Sequence, residues 1–139
     1  MTDKIVVLVT TSTIKEARKI ANTLVEERLA ACVNVLPKVR SYYRWKGGVQ
    51  SDEEYLLIVK SSRPRFTALR KAIERLHSYK VPEIICLPIV EGADPYMNWL
   101  EESLTAPLER SLEAPKLATG LSTQRRSGDP RPRVGTEKT

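Results

Sequence analysis

Apolar and polar positions along this chain follow two periods, and the changes of period mark its elements. Ile5-Val6-Val7-Leu8-Val9 is an unbroken, mostly β-branched run, which predicts a central strand covered on both faces or lying at a subunit contact. Thr13 followed by Glu16 reads as a capping box, the hydroxyl accepting a free backbone N–H and the carboxylate reaching back. The helix after it carries Ile14, Ala17, Ala21, Leu24 and Val25 on one stripe and ends near Arg28; Lys15, Arg18, Lys19, Glu26 and Glu27 face solvent.

From Leu29 to Lys60 the period falls to two. Val33, Val35, Val39, Tyr43 and Trp45 are spaced to share one face of a strand, and Tyr55, Leu57 and Val59 share one face of the next. Gly47-Gly48 lies between the arms, where a tight primed turn needs positive φ. Each arm is far longer than the usual strand of about 5–6 residues. Pro37 cannot donate to a ladder, so a bulge or interruption is expected there. The outer half of so long a hairpin cannot be covered by the short helices of one chain and must find cover from another copy.

The helical period returns after Ser61-Ser62-Arg63-Pro64, with Phe66, Leu69, Ile73 and Leu76 as its stripe. Pro82 disfavours helix at Val81, making residues 77–83 a loop. A strand follows over Ile84–Val90, then a short helix capped by Asp94 with Pro95 first and Tyr96, Trp99, Leu100 and Leu104 inward. Strand, helix, strand, strand, helix, strand and terminal helix, with right-handed crossovers, predict an α+β ferredoxin-like split βαβ fold. Its four-stranded antiparallel sheet would carry helices on one face and a long protruding hairpin. The face without helices is expected to meet another subunit.

Composition sets the limits. The 139 residues suit one domain, and 41% hydrophobic content with only 6% aromatics predicts a core of Val, Leu, Ile and Ala. The net charge of +6 divides evenly between residues 1–106, the expected domain, and residues 107–139. A domain so mildly basic does not suggest a nucleic-acid partner. The last segment has no aromatic residue, four of nine prolines and scattered arginines, which predicts a disordered Arg/Pro/Ser-rich tail, with at most a short helix around Leu108–Leu112. Cys32 and Cys86 are too few for a disulfide framework and read as reduced thiols in apolar strands. The first apolar run is too short for a signal core or a membrane span, so a cytoplasmic protein with no membrane contact is expected.

Four motifs then narrow the field: Val9-Thr10-Thr11, Leu29-Ala30-Ala31-Cys32-Val33-Asn34, Tyr43-x-Trp45-x-Gly47 and Tyr79-x-Val81-Pro82-Glu83-Ile84. In this order they closely resemble the CutA divalent-cation-tolerance family over roughly residues 4–104. The resemblance implies a non-enzymatic homotrimer with interlocked hairpins, architecturally similar to PII signalling proteins, and a role in metal tolerance with Cu(II) or another divalent cation as the ion. It also makes Val39, Tyr42, Tyr43 and Trp45 expected trimer-interface residues.

The residues themselves offer little chemistry. No phosphate loop, metal finger or nucleophile elbow is present, and one histidine excludes a multi-histidine centre within one chain. His77 reads as a surface loop residue or as a metal ligand; the positions that supply further ligands in copper-binding relatives hold Val9 and Leu76. Arg40, Arg44 and Lys46 against Asp52, Glu53 and Glu54 read first as cross-strand pairing that fixes register. A cleft between subunits in which Glu54, Lys60, Tyr79 and Glu83 hold a small ligand is the functional reading. A PII-like sensor without a metal role is the alternative. An RNA-binding module is a weaker one, because the first strand lacks exposed aromatics. An acylphosphatase-type hydrolase would need an arginine-bearing loop where Thr10-Thr11-Ser12-Thr13 stands.

Overall fold

The β-branched run, the capped helix and the long ribbon each form close to where their patterns lie. The structure, a computed structural model, describes residues 2–105. The elements are β1 (Lys4–Thr11), α1 (Ile14–Glu26), β2 (Cys32–Trp45), β3 (Gly48–Ser62), α2 (Phe66–Leu76), β4 (Ile84–Pro88) and α3 (Asp94–Ser103). A 3-10 turn at Arg63–Arg65 places Pro64 where its missing N–H costs nothing. The strands pair antiparallel in the order β2-β3-β1-β4, the ferredoxin-like arrangement. The expected tail and the helix around Leu108–Leu112 lie outside the described residues.

Two rows of side chains cross the whole sheet beneath the helices. Register aligns Val33, Val59, Val7 and Cys86 in one row and Val35, Leu57, Val9 and Ile84 in the next. Ala17, Ile20 and Leu24 of α1 and Leu69, Ala72 and Ile73 of α2 close over them. Val25, expected on the buried stripe, is 42% exposed, and Ile20 takes the core position instead. A smaller cluster of Ala31, Leu100 and Leu104 seats α3. Three cations clamp that helix. Lys4 Nζ lies 2.8 Å from Glu101, Arg28 donates to Ser103 O at 2.9 Å, and Arg65 donates to Leu104 O. Cations on the last carbonyls answer the negative end of the helix dipole. Asp94 is the first helical residue rather than the cap, which is Ala93, and no side chain caps that end.

The opposite face is not covered by α1 or α2. The alternate positions Val6 and Leu8, Leu56 and Ile58, and Ile85 and Leu87 share it. Ile85 is 45% and Leu87 44% exposed. Beyond it, β2 and β3 continue as a bare ribbon.

The ribbon departs from its expected geometry in two ways. At Pro37 one extra residue enters β2 between the pairs Leu36↔Leu56 and Val39↔Glu54, with Lys38 at φ 58°. The bulge is where proline predicts it, but it also reverses the alternation beyond it. Val33 and Val35 therefore face the helices, whereas Val39, Tyr43 and Trp45 lie on the other face. At the tip Trp45 pairs with Gly48, so the turn residues are Lys46 (φ 50°) and Gly47 (φ 80°), one position earlier than Gly47-Gly48. Positive φ at both is the primed geometry whose twist suits a hairpin.

Candidate functional site

The hydroxyl of Thr13 accepts from Glu16 N at 3.1 Å and starts α1. The Glu16 carboxylate does not turn back to complete the box. It reaches across to the 77–83 loop, accepting from Ser78 N at 2.9 Å and lying 3.2 Å from His77 Nδ1. The loop enters directly from α2, because His77 is that helix's extended C-cap.

His77 is not a surface residue: its side chain is fully shielded. Nε2 lies 2.7 Å from Thr10 O, and a carbonyl only accepts, so Nε2 carries a proton. Tyr79 N donates to Nδ1 at 3.0 Å. Both ring nitrogens are thus engaged inside the chain, and a metal ion at His77 would have to displace one of these bonds. Cys32 and Cys86 are free thiols on opposite edge strands and in different rows. Among the described residues no three His, Cys, Asp or Glu side chains come together as a metal site. Among the described residues of one chain the donor set does not fit a divalent cation.

The Tyr79 ring packs against His77 at a 50° tilt with centroids 4.7 Å apart, and its hydroxyl donates to Glu54 Oε2 at 2.7 Å. Glu54 is buried although it belongs to the ribbon, at the first pair beyond the bulge. Burial, then the hydrogen bond and charge of Glu54, raise the Tyr79 phenol well above its ordinary value, while Ser12 acts against them through a hydrogen bond. The site is a buried carboxylate held by one phenol, with acceptor capacity left over.

The other two expected cleft residues lie apart from it within one chain. Lys60 is six positions along β3, roughly 20 Å away in an extended strand, where its ammonium bonds Asn34 Oδ1 and lies 3.8 Å from Cys32 Sγ. Glu83 is exposed just before β4. The expected charge ladder reduces to one contact, Arg40 to Glu53 at 3.8 Å, because Asp52 accepts the hydroxyl of Tyr43 and Glu54 that of Tyr79. Tyr42 is 72% exposed, Trp45 59% and Val49 69%. Tyr43 is 41% exposed, and Val39 is half-buried.

Comparison with known proteins decides the family. The family described as CutA1 divalent ion tolerance protein matches residues 5–103. The chain belongs to this family. A divalent-cation tolerance protein CutA from Thermus thermophilus is 51% identical over 98 residues, covering 70% of this chain and 95% of that protein. The chloroplastic CutA of Arabidopsis thaliana is 46% identical over 99 residues, 71% of this chain and 54% of that protein. The solved Thermus thermophilus structure superposes with a TM-score of 0.70 at 50% identity, covering 72% of this chain and 97% of that one. The structure titled the periplasmic CutA of Archaeoglobus fulgidus gives 0.71 at 32% identity, covering 73% and 99%. CutA1 relatives are thus named for more than one compartment. No helix among the described residues is long and apolar enough to cross a membrane.

Proposed function

We propose that this CutA1 member acts in divalent-cation tolerance as a non-enzymatic homotrimer, with any ligand held where copies meet. One observation carries the reading: the sheet face away from α1 and α2 and the ribbon beyond Pro37 leave Ile85, Leu87, Tyr42, Trp45 and Val49 exposed in a single chain. Large apolar side chains left exposed on both faces of a ribbon and on an open sheet face of so small a chain are the mark of an interface. Association would place a neighbour against the Glu54–Tyr79 pair. A carboxylate with acceptor capacity to spare suits a cationic or hydrogen-bond-donating ligand, which also supports the PII-like sensor as the second reading. Copper or another divalent ion would draw donors from more than one copy, since the described residues of a single chain do not supply a fitting set. The expected cytoplasmic location is part of the proposal and is checked by cell fractionation.

The test is the mass of the full chain in solution at micromolar concentration, by light scattering behind a sizing column. Three chains are expected; a folded single chain overturns the proposal. Titration with Cu(II) and Zn(II), comparing wild type with His77→Ala, is expected to give equal affinities.

A further inference from the structure

We infer that His77 and Glu16 form a proton-operated latch on the Tyr79 loop. The groups facing the ring come from three directions. β1 presents the Thr10 carbonyl, which carries a dipole and no charge. α1 presents the Glu16 carboxylate at 3.2 Å from Nδ1. The loop presents the Tyr79 N–H to the same Nδ1 at 3.0 Å, and the Tyr79 phenol, which is tied in turn to Glu54 of β3. α2 contributes only its Ile73 carbonyl, which accepts from His77 N at 2.9 Å.

Nδ1 therefore faces a donor and an acceptor at once, and it can satisfy only one. In the neutral ring its lone pair takes the Tyr79 N–H and leaves the carboxylate oxygen as a second acceptor in contact. When Nδ1 takes a proton from solvent the lone pair is gone. The new N–H donates to Glu16, forming a shielded ion pair, and the Tyr79 N–H is released. Nε2–H keeps its bond to Thr10 O in both states, so the ring stays in place while its partner changes. Glu16 is well placed for this, because the first turn of α1 favours a negative charge. Ser78 N already donates to the same oxygen. The proton thus shifts the hold on the loop from the ring to α1, and the release acts on the residue whose hydroxyl grips Glu54. Only that last consequence, for a ligand at Glu54, rests on the proposed function.

His77 is the one histidine of the chain, so its imidazole signals are unambiguous. The experiment is a 15N NMR titration of the full chain from about pH 5 to about pH 9, the range in which a histidine switch operates. The ring nitrogens and the Tyr79 amide are expected to move with one common midpoint. In Glu16→Gln, which removes the anion beside Nδ1, that midpoint is expected to fall. A ring that titrates while the Tyr79 amide stays still overturns the latch, as does a ring silent across the range or a midpoint unmoved in Glu16→Gln. Tyr79→Phe separates the two ideas. It keeps the amide, so the common midpoint persists if the latch is real. A ligand whose affinity is untouched by that variant would instead sink the cleft reading alone.

Discussion

The two halves of the β2–β3 hairpin pair in the same antiparallel fashion on either side of the bulge and differ in what covers them. In the inner half Leu57 and Val59 are fully shielded beneath α1 and α2. In the outer half, past the bulge, Tyr42, Trp45 and Val49 are each more than half exposed. Backbone hydrogen bonds are the same kind in both, and a two-stranded ribbon without a packed face is marginal in water. The inner half draws its stability from burial in its own chain; in the proposed assembly the outer half draws it from a neighbour.

Substitutions divide along that line. Leu57→Ala leaves a cavity under both helices and is expected to destabilise the fold by about 3 kcal/mol, lowering the thermal midpoint at every protein concentration. Trp45→Ala is expected to spare the single-chain core and act on association. If Trp45 anchors the proposed trimer, the change is expected to cost about 2 kcal/mol of association, read as a loss of the trimer on dilution. If Trp45→Ala lowered the midpoint as much as Leu57→Ala, and did so independently of concentration, the division would fail. Gly47→Ala sharpens it further. No atom beyond its chain neighbours lies within 4 Å of the added Cβ, so the change tests the φ of 80°. The expected loss is about 1 kcal/mol, seen in chemical unfolding.

The sequence announces the two halves only in part. Two long β-branched and aromatic arms and a proline at position 37 reveal the ribbon and its interruption. That the interruption adds one residue, and so turns Val39, Tyr43 and Trp45 away from Val33 and Val35, depends on register. Register is settled by pairing with β3 and cannot be read from β2 alone. The turn falls on Lys46-Gly47 for the same reason. The site is hidden more deeply. Glu16 at the third position of a helix looks like half of a capping box, and only the folded chain brings the 77–83 loop near enough to compete for it. His77 before Ser78 and Tyr79 looks like a solvated loop, and its burial depends on Thr10, 67 positions away. Arg28 and Arg65 look like surface charges, yet they hold the end of α3. Local periods predict elements, whereas contacts between distant loops carry no local signature.

Where the two halves meet, a pair of tyrosines offers the finest comparison. Tyr79 holds Glu54 at the base of the ribbon and Tyr43 holds Asp52 farther out. Both phenols are raised, Tyr79 by burial and then by Glu54, Tyr43 first by its hydrogen bond to Asp52. An unfolded chain keeps the ordinary phenol value of about 10, so as pH climbs it releases the Tyr79 proton before the folded chain does. The stabilisation is therefore complete below about pH 10 and declines above it. Tyr79→Phe is expected to be less stable than wild type by about 1 kcal/mol at neutral pH, through the lost bond to Glu54. That gap should narrow as pH rises past about 10, because the variant has no proton there to lose. Tyr43→Phe should leave the alkaline limb nearly unchanged, since solvent screens an exposed pair. Urea midpoints from about pH 9 to about pH 11.5 read both limbs. Parallel declines for wild type and Tyr79→Phe would show that Glu54 is not gripped from the loop at all.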